Sequence, residues 1–535
     1  MFALLTLALL VALAWPGAGR AAAHANPVGT RPAYGTVLEP GQGEVSVTFD
    51  EPVTVAAGGL TVLGRDGERV ATGDLRYADG DRTIRAALPA GLAEGTYLLG
   101  WVVLSADGHT IGGSSVFGVG TPPDTTVRAP DPDPLLAALD TMVRLLSALG
   151  YLGIVLGVGV PVAVAICGPA PRAPVRQLGL VGAVLVTATA AAELVLTPGR
   201  LAGAAGWTDP GTWSSALTSG PGLAALGSVL GGMLLVLALG GRGRPTETAS
   251  RVVLAGGGYR AAGVCAAVLI VVSVAVSGHA VAAPDPALAV VVTVVHLAAM
   301  TVWGGGLVAA LLLWRGRDQT PALRRFASVA LGAVAVLAGT GAVQAWRAVD
   351  PVASLWDTGW GRLLLLKLGS VAAALAVGGL IRRHLRARPG VPARRWLRAE
   401  TAAVGAVLLV SALLSGTAPA RDTYDPPWHA TLALGEVTAV LDIDGAKAGE
   451  QELTVHLRDH TGAALEVRDL AARLTRADGD VPLELDFRRV TPPDRAPDFF
   501  AATTRVPGPG EWKLRVTVTV DRLTAHTATI PYRVY

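Results

Sequence analysis

LAVVVTVVHLAAMTVWGGGLVAALLLW, residues 288–314, runs straight into Arg315-Gly316-Arg317-Asp318 and decides the fold class. The stretch contains no Asp, Glu, Lys or Arg, and its one strongly polar side chain is His296. A helix rising about 1.5 Å per residue needs roughly 20 such residues to cross the ~30 Å hydrocarbon core of a bilayer. Working outward, apolar segments of similar length lie at 145–167, 175–197, 222–240, 261–283, 324–346, 362–381 and 397–418. The expectation is a bundle of eight transmembrane helices. The whole chain, 535 residues and 51% hydrophobic with a mean hydropathy of +0.48, is too apolar for soluble domains alone and too polar for membrane throughout.

Charge sets the expected orientation. The loops 168–177, 241–260, 315–325 and 382–398 carry two, four, four and seven arginines, whereas those at 198–221, 284–287 and 347–361 carry only Arg200 and Arg347. The arginine-rich side is cytoplasmic, so both termini are expected outside a cytoplasmic membrane. A net charge of +3, with its basic residues scattered among short loops, argues against nucleic acid as a partner.

The flanks read differently. Residues 1–23 resemble a secretory signal, apolar from Phe2 to Trp15 and ending in Ala21-Ala22-Ala23, so that cleavage leaves His24 as the new amino terminus. From 24 to 120, alternation such as Val45, Val47, Phe49 against Glu44, Ser46, Thr48, with frequent turn residues, predicts a small all-β sandwich. Residues 121–134, with five prolines and three aspartates, read as a stiff linker to a membrane domain over 135–420. A second, Ig-like all-β sandwich is expected over 421–535, marked by the alternation Trp512, Leu514, Val516, Val518, Val520. Cys167 and Cys265 both fall in apolar segments, so no disulfide framework is expected.

The chemistry concentrates in His24 and Ser105-Ala106-Asp107-Gly108-His109. A terminal histidine offers its α-amine and its imidazole, and Asp107 and His109, placed at i and i+2 of a strand, add a carboxylate and a second imidazole. Three nitrogens and one oxygen suit tetragonal copper(II). Within the membrane region, His279, His296 and Met300 form a candidate path: His296 and Met300 share a helical face, and imidazole with thioether suits copper(I). Their bland alternative is interhelical hydrogen bonding and gap filling. Glu193, Lys367 and Glu400 are read as residues that snorkel to the interface, and Cys167 and Cys265 as packing residues. His429, His456, His460 and His526 read as surface polar residues.

Residues 24–120 resemble CopC in the opening His24-Ala25-Asn26-Pro27, in Val45-Ser46-Val47-Thr48-Phe49, and in Trp101 through His109. The resemblance implies a cupredoxin-like sandwich whose copper(II) site matches His24, Asp107 and His109. A methionine-rich copper(I) site in that domain is not expected, because the four methionines are Met1, Met142, Met233 and Met300. Residues 140–418 resemble CopD in Ser277-Gly278-His279-Ala280, in His296 through the glycines after Trp303, and in Gly361 through Lys367. Together they look like the CopC–CopD fusion type, which implies copper uptake or resistance, with copper ion and lipid bilayer as partners and room for an envelope copper chaperone or reductant. The C-terminal region resembles the YtkA-like or FixH-like modules at low specificity. A copper-dependent oxidative enzyme is disfavoured by the small domain and its few aromatics. A copper sensor is disfavoured by the short inner loops.

Overall fold

The computed structural model describes residues 25–535 except 26, 34, 42, 56–58, 107, 109, 125–133, 241–252, 279, 282–284, 315–319, 388–393, 416, 477–482, 490–498 and 507. It divides into two compact units, Met1–Asp422 and Thr423–Tyr535. The expected signal segment and most of the expected linker lie outside the described residues.

The first unit begins with a β-sandwich. One sheet orders the strands Pro27–Arg31, Glu44–Phe49, Thr83–Ala87 and Arg76–Ala78; the other is built on the antiparallel pair Gly95–Ser105 and Thr110–Val119, with Leu60–Gly64 on the far side of the former. Side chains alternate across a strand, so Val45, Val47 and Phe49 turn inward together and are at most 1% exposed. Val62, Leu99, Val103 and Phe117 close on them from the opposite sheet. Each such side chain contributes about 1.5–3 kcal/mol on burial. That core holds the sandwich without disulfides.

Eight long helices follow: α1 (Pro134–Cys167, with a π-helical turn at Val155–Gly159), α2 (Arg172–Ala202), α3 (Gly220–Gly240), α4 (Val253–Val276), α5 (Pro286–Leu312), α6 (Thr320–Ala348), α7 (Gly359–Ala387) and α8 (Arg394–Ser415). Six of these among the described residues (α1, α2, α3, α5, α6 and α7) are long and apolar enough to cross a membrane; α4 and α8 carry shorter apolar runs, Ala261–Val276 and Ala402–Leu414. Large apolar side chains such as Leu149, Val184, Leu237 and Val268 point outward, as lipid contact requires. Between helices, lipid supplies no hydrophobic drive, so close contact depends on small residues. Gly305, in the glycine run of the opening stretch, lies so close to Gly159 of the π-turn that a Cβ on Gly305 would overlap the Gly159 backbone, while one on Gly159 would overlap the Thr301 carbonyl.

The second unit is also a two-sheet fold. Trp428–Leu434, Val437–Ile443, Gly449–Arg458, Phe499–Val506 and Arg488–Arg489 form one sheet; Leu483–Asp486, Asp469–Arg476, Gly510–Thr519 and Ala525–Val534 form the other. The expected alternation holds: Trp512, Leu514, Val516 and Val518 are at most 2% exposed and meet Leu441, Val455 and Leu457 across the core.

Candidate metal centre

The segment that carries the metal motif is a hairpin turn. Its two strands end at Ser105 and begin again at Thr110, with the described residues Ala106 and Gly108 between them. The reason is Asp-Gly chemistry: Gly108 adopts φ +89°, a region only glycine enters freely, and its N–H donates to the Ser105 carbonyl at 3.0 Å. Ser105, 1% exposed, is fixed in turn by donating its hydroxyl to the buried Glu51 carboxylate. His24, Asp107 and His109 themselves lie outside the described residues. Ala25, beside His24, is 1% exposed and packs into the sandwich core, which anchors the chain up to the expected terminal ligand.

The turn is docked on the helical bundle. Arg200, near the end of α2, is 6% exposed; its Nη2 donates to the Gly108 carbonyl at 2.7 Å while its Nε donates to Asp140 Oδ1 of α1 at 2.8 Å. A carboxylate and a carbonyl therefore share one buried guanidinium, whose forked donors suit two acceptors at once. Beside it, Leu104 of the sandwich packs against Leu201 and Ala216. Ala216 belongs to the short helix Pro210–Thr218, started by Asp209, whose side chain accepts from the Gly211 and Thr212 amides ahead of the helix-starting Pro210. The Thr212 hydroxyl and these amides hold the Asp209 carboxyl below the usual carboxylate range. A Cβ built on Gly108 would lie 3.5 Å from both Pro221 at the start of α3 and the Ser277 carbonyl just past α4. Ser277 precedes His279 by two residues, and His279 lies outside the described residues.

Deeper in the bundle a polar seam runs between α5 and α6. Gln344 Nε2 lies 3.5 Å from Thr293 Oγ1, and one turn further in His296 Nδ1 is 2.8 Å from Thr340 Oγ1. Met300 packs against Val271, Ala275 and Leu297, on the α4 side of α5, so the helical face shared by His296 and Met300 divides between two neighbours. Glu193 accepts a hydrogen bond from Ser147 at 3.2 Å. Cys167 is buried and Cys265 exposed, and neither forms a disulfide. Among the described residues, no three His, Cys, Asp or Glu side chains gather as a metal-binding group. Sequence reasoning counted Arg200 only as a loop charge and missed Asp140, Thr340 and Gln344. A lone arginine following Pro198-Gly199 at a helix end was the one signal available.

Comparison with known proteins follows this geometry. The family model of the CopC domain matches residues 27–120, a stretch that includes Asp107 and His109 and begins after His24. The model of copper resistance protein D matches 320–414, which includes Thr340 and Lys367 and begins after His279, His296 and Met300. The chain is 26% identical over 466 residues, 82% of its own length and 83% of the relative's, to the copper transport protein CutJ of Bacillus subtilis (strain 168). Among solved structures it is similar to CopC from Methylosinus trichosporium OB3b, with 25% identity, 20% of this chain and all of that chain covered, and a TM-score of 0.16. It is also similar to PcoC, a methionine-rich copper resistance protein from Escherichia coli, at 19% identity over 18% of this chain and 98% of that one, with a TM-score of 0.16. One chain accordingly carries a stretch that matches the CopC domain, 27–120, and a stretch that matches copper resistance protein D, 320–414, with six described helices long and apolar enough to cross a membrane.

Proposed function

We propose that the chain captures copper(II) outside the cell membrane and passes it into the bilayer, serving copper uptake or resistance as a binding and transfer protein rather than an enzyme. In this reading residues 1–23 are removed, and the mature His24 joins Asp107 and His109 around copper(II) in the 24–120 domain. The 121–134 linker leads to eight crossings within 135–420, and the 421–535 domain lies on the same outer side. His279, His296 and Met300 form the membrane path. The observation that carries this reading is the docked turn: Gly108, between two of the copper(II) donors, is held by Arg200 and lies against Ser277, two residues from His279. An ion released there has the next histidine at hand. Where the path takes copper(I), each ion gains one electron, and an external thiol of the envelope balances the step, two thiols giving one disulfide for two ions and releasing two protons.

The test is a copper(II) titration of the purified full-length mature protein beside a variant with one residue added ahead of His24, read by paramagnetic resonance. One tetragonal site that is lost on extension supports the reading, because only a free terminal amine supplies the third nitrogen. Equal spectra from both proteins would remove His24 from the site.

A further inference from the structure

The hydrogen-bonding of Thr340 fixes something about His296 that its position alone does not. A threonine hydroxyl has one proton to give. Thr340 Oγ1 lies 2.6 Å from the Val336 carbonyl, one turn back on α6, and 2.8 Å from His296 Nδ1. Two oxygens at 2.6 Å need a proton between them, so the hydroxyl proton belongs to Val336 and Thr340 faces the imidazole as an acceptor. His296 Nδ1 is therefore the protonated nitrogen, and Nε2 carries an open lone pair. Histidines that bind metals are held in just this manner, one ring N–H donated to a fixed acceptor while the other nitrogen faces the ion.

Resting on the membrane path of the preceding reading, we infer that His296 Nε2, oriented by Thr340, is a donor for copper(I). Thr340 acts here as a positioning residue. Met300, turned toward α4, is not required for the first contact.

The experiment uses the full chain in detergent micelles, with His109→Ala throughout so that the β-domain does not compete. Copper(I) is partitioned anaerobically against a chromophoric chelator. Thr340→Val is expected to weaken retention roughly 10–100-fold, as loss of an outer hydrogen-bond partner does, and Thr340→Ser to restore it. Nitrogen-15 histidine spectra of the metal-free protein should show Nδ1–H at His296, with that signature lost only in Thr340→Val. If His296→Gln weakens retention but the Thr340 variants do not change it, the membrane site stands and the inference is overturned. Should Thr340→Ser weaken it as much as Thr340→Val, Thr340 serves packing alone and the inference is again overturned. If His296→Gln itself changes nothing, the membrane path through His296 falls, and this inference with it.

Discussion

At the scale of single residues, Arg200 joins sandwich and bundle most directly. Its guanidinium is 7% exposed at the side chain and its partner Asp140 33%, so the pair is only partly shielded from water and its contribution is discounted accordingly. Arg200→Ala is expected to lower stability by roughly 1–3 kcal/mol, because it strands a half-buried carboxylate and frees the Gly108 carbonyl. Its functional effect should be sharper and of a different kind. Copper(II) binding by the turn should survive, since Arg200 donates to the backbone and not to a copper(II) donor, while copper accumulation by cells should fall about tenfold or more as the turn comes away from Ser277. Arg200→Lys should recover only part, because an ammonium does not reproduce the fork. Parallel measurement of copper(II) resonance and cellular copper separates the two effects; loss of both together would place Arg200 in the binding site itself. The proposed donors His24, Asp107 and His109 were picked out by residue type and position, and they lie outside the described residues. Arg200 was not picked out, because its meaning depends on a partner 92 residues away in sequence.

Among elements, legibility tracks the physics of each solvent. The helices could be read from composition, since a bilayer demands long uninterrupted apolar runs: of the eight crossings expected, six correspond to described helices long and apolar enough to span, while α4 and α8 carry shorter apolar runs. The strands were legible from alternation, as in 44–49 and 510–519. Turns and helix contacts were harder. The positive φ of Gly108 was not legible as such, and nothing in a run of glycines tells which neighbour will approach. The structure answers that for Gly305, which meets the π-turn of α1 backbone to backbone. Gly305→Ala is therefore expected to force α1 and α5 apart at a cost of about 1–3 kcal/mol, the usual penalty of overpacking. Gly304→Ala should cost less, because a Cβ there meets the Val155 side chain at 3.1 Å, and a side chain can shift where backbone cannot. Thermal unfolding of the two variants in the same detergent gives the order directly, and a Gly304 variant less stable than the Gly305 one would contradict this packing.

On the scale of the whole molecule, the second unit stands as a body with its own core, and it should fold when made alone as 423–535. Twenty-four buried residues from both of its sheets form one cluster, in which Tyr532 is 0% exposed and donates its hydroxyl to Gln451 at 2.9 Å. Burial pushes the Tyr532 phenol well above its ordinary range, with the Gln451 hydrogen bond opposing part of the shift. The sign follows: an acid whose folded value is raised stays protonated in the fold while the unfolded chain ionises, so stability is complete below about pH 10 and falls as pH rises beyond it. In acid the opposite case applies to Asp459, held down chiefly by the Thr461 hydroxyl, and to Asp521, held down chiefly by the Leu523 and Thr524 amides. Their contribution is present above an ordinary carboxylate value of about 3.9 and is lost as pH falls through the folded values. Neither carboxylate is buried, so the acid loss should be shallow, whereas the alkaline loss comes from a buried group and should be steep. Urea midpoints of the isolated unit should therefore be nearly flat from pH 5 to 9, by the same carboxylate and phenol values, and drop above about pH 10. Tyr532→Phe should be less stable at neutral pH by roughly 1–3 kcal/mol, because Gln451 keeps a buried oxygen without its donor. It should nevertheless lose less than the parent between about pH 10 and 12, because the phenol that ionises on unfolding is gone. An alkaline drop of equal depth in both proteins would assign that sensitivity to the more exposed basic residues and leave Tyr532 a packing role only.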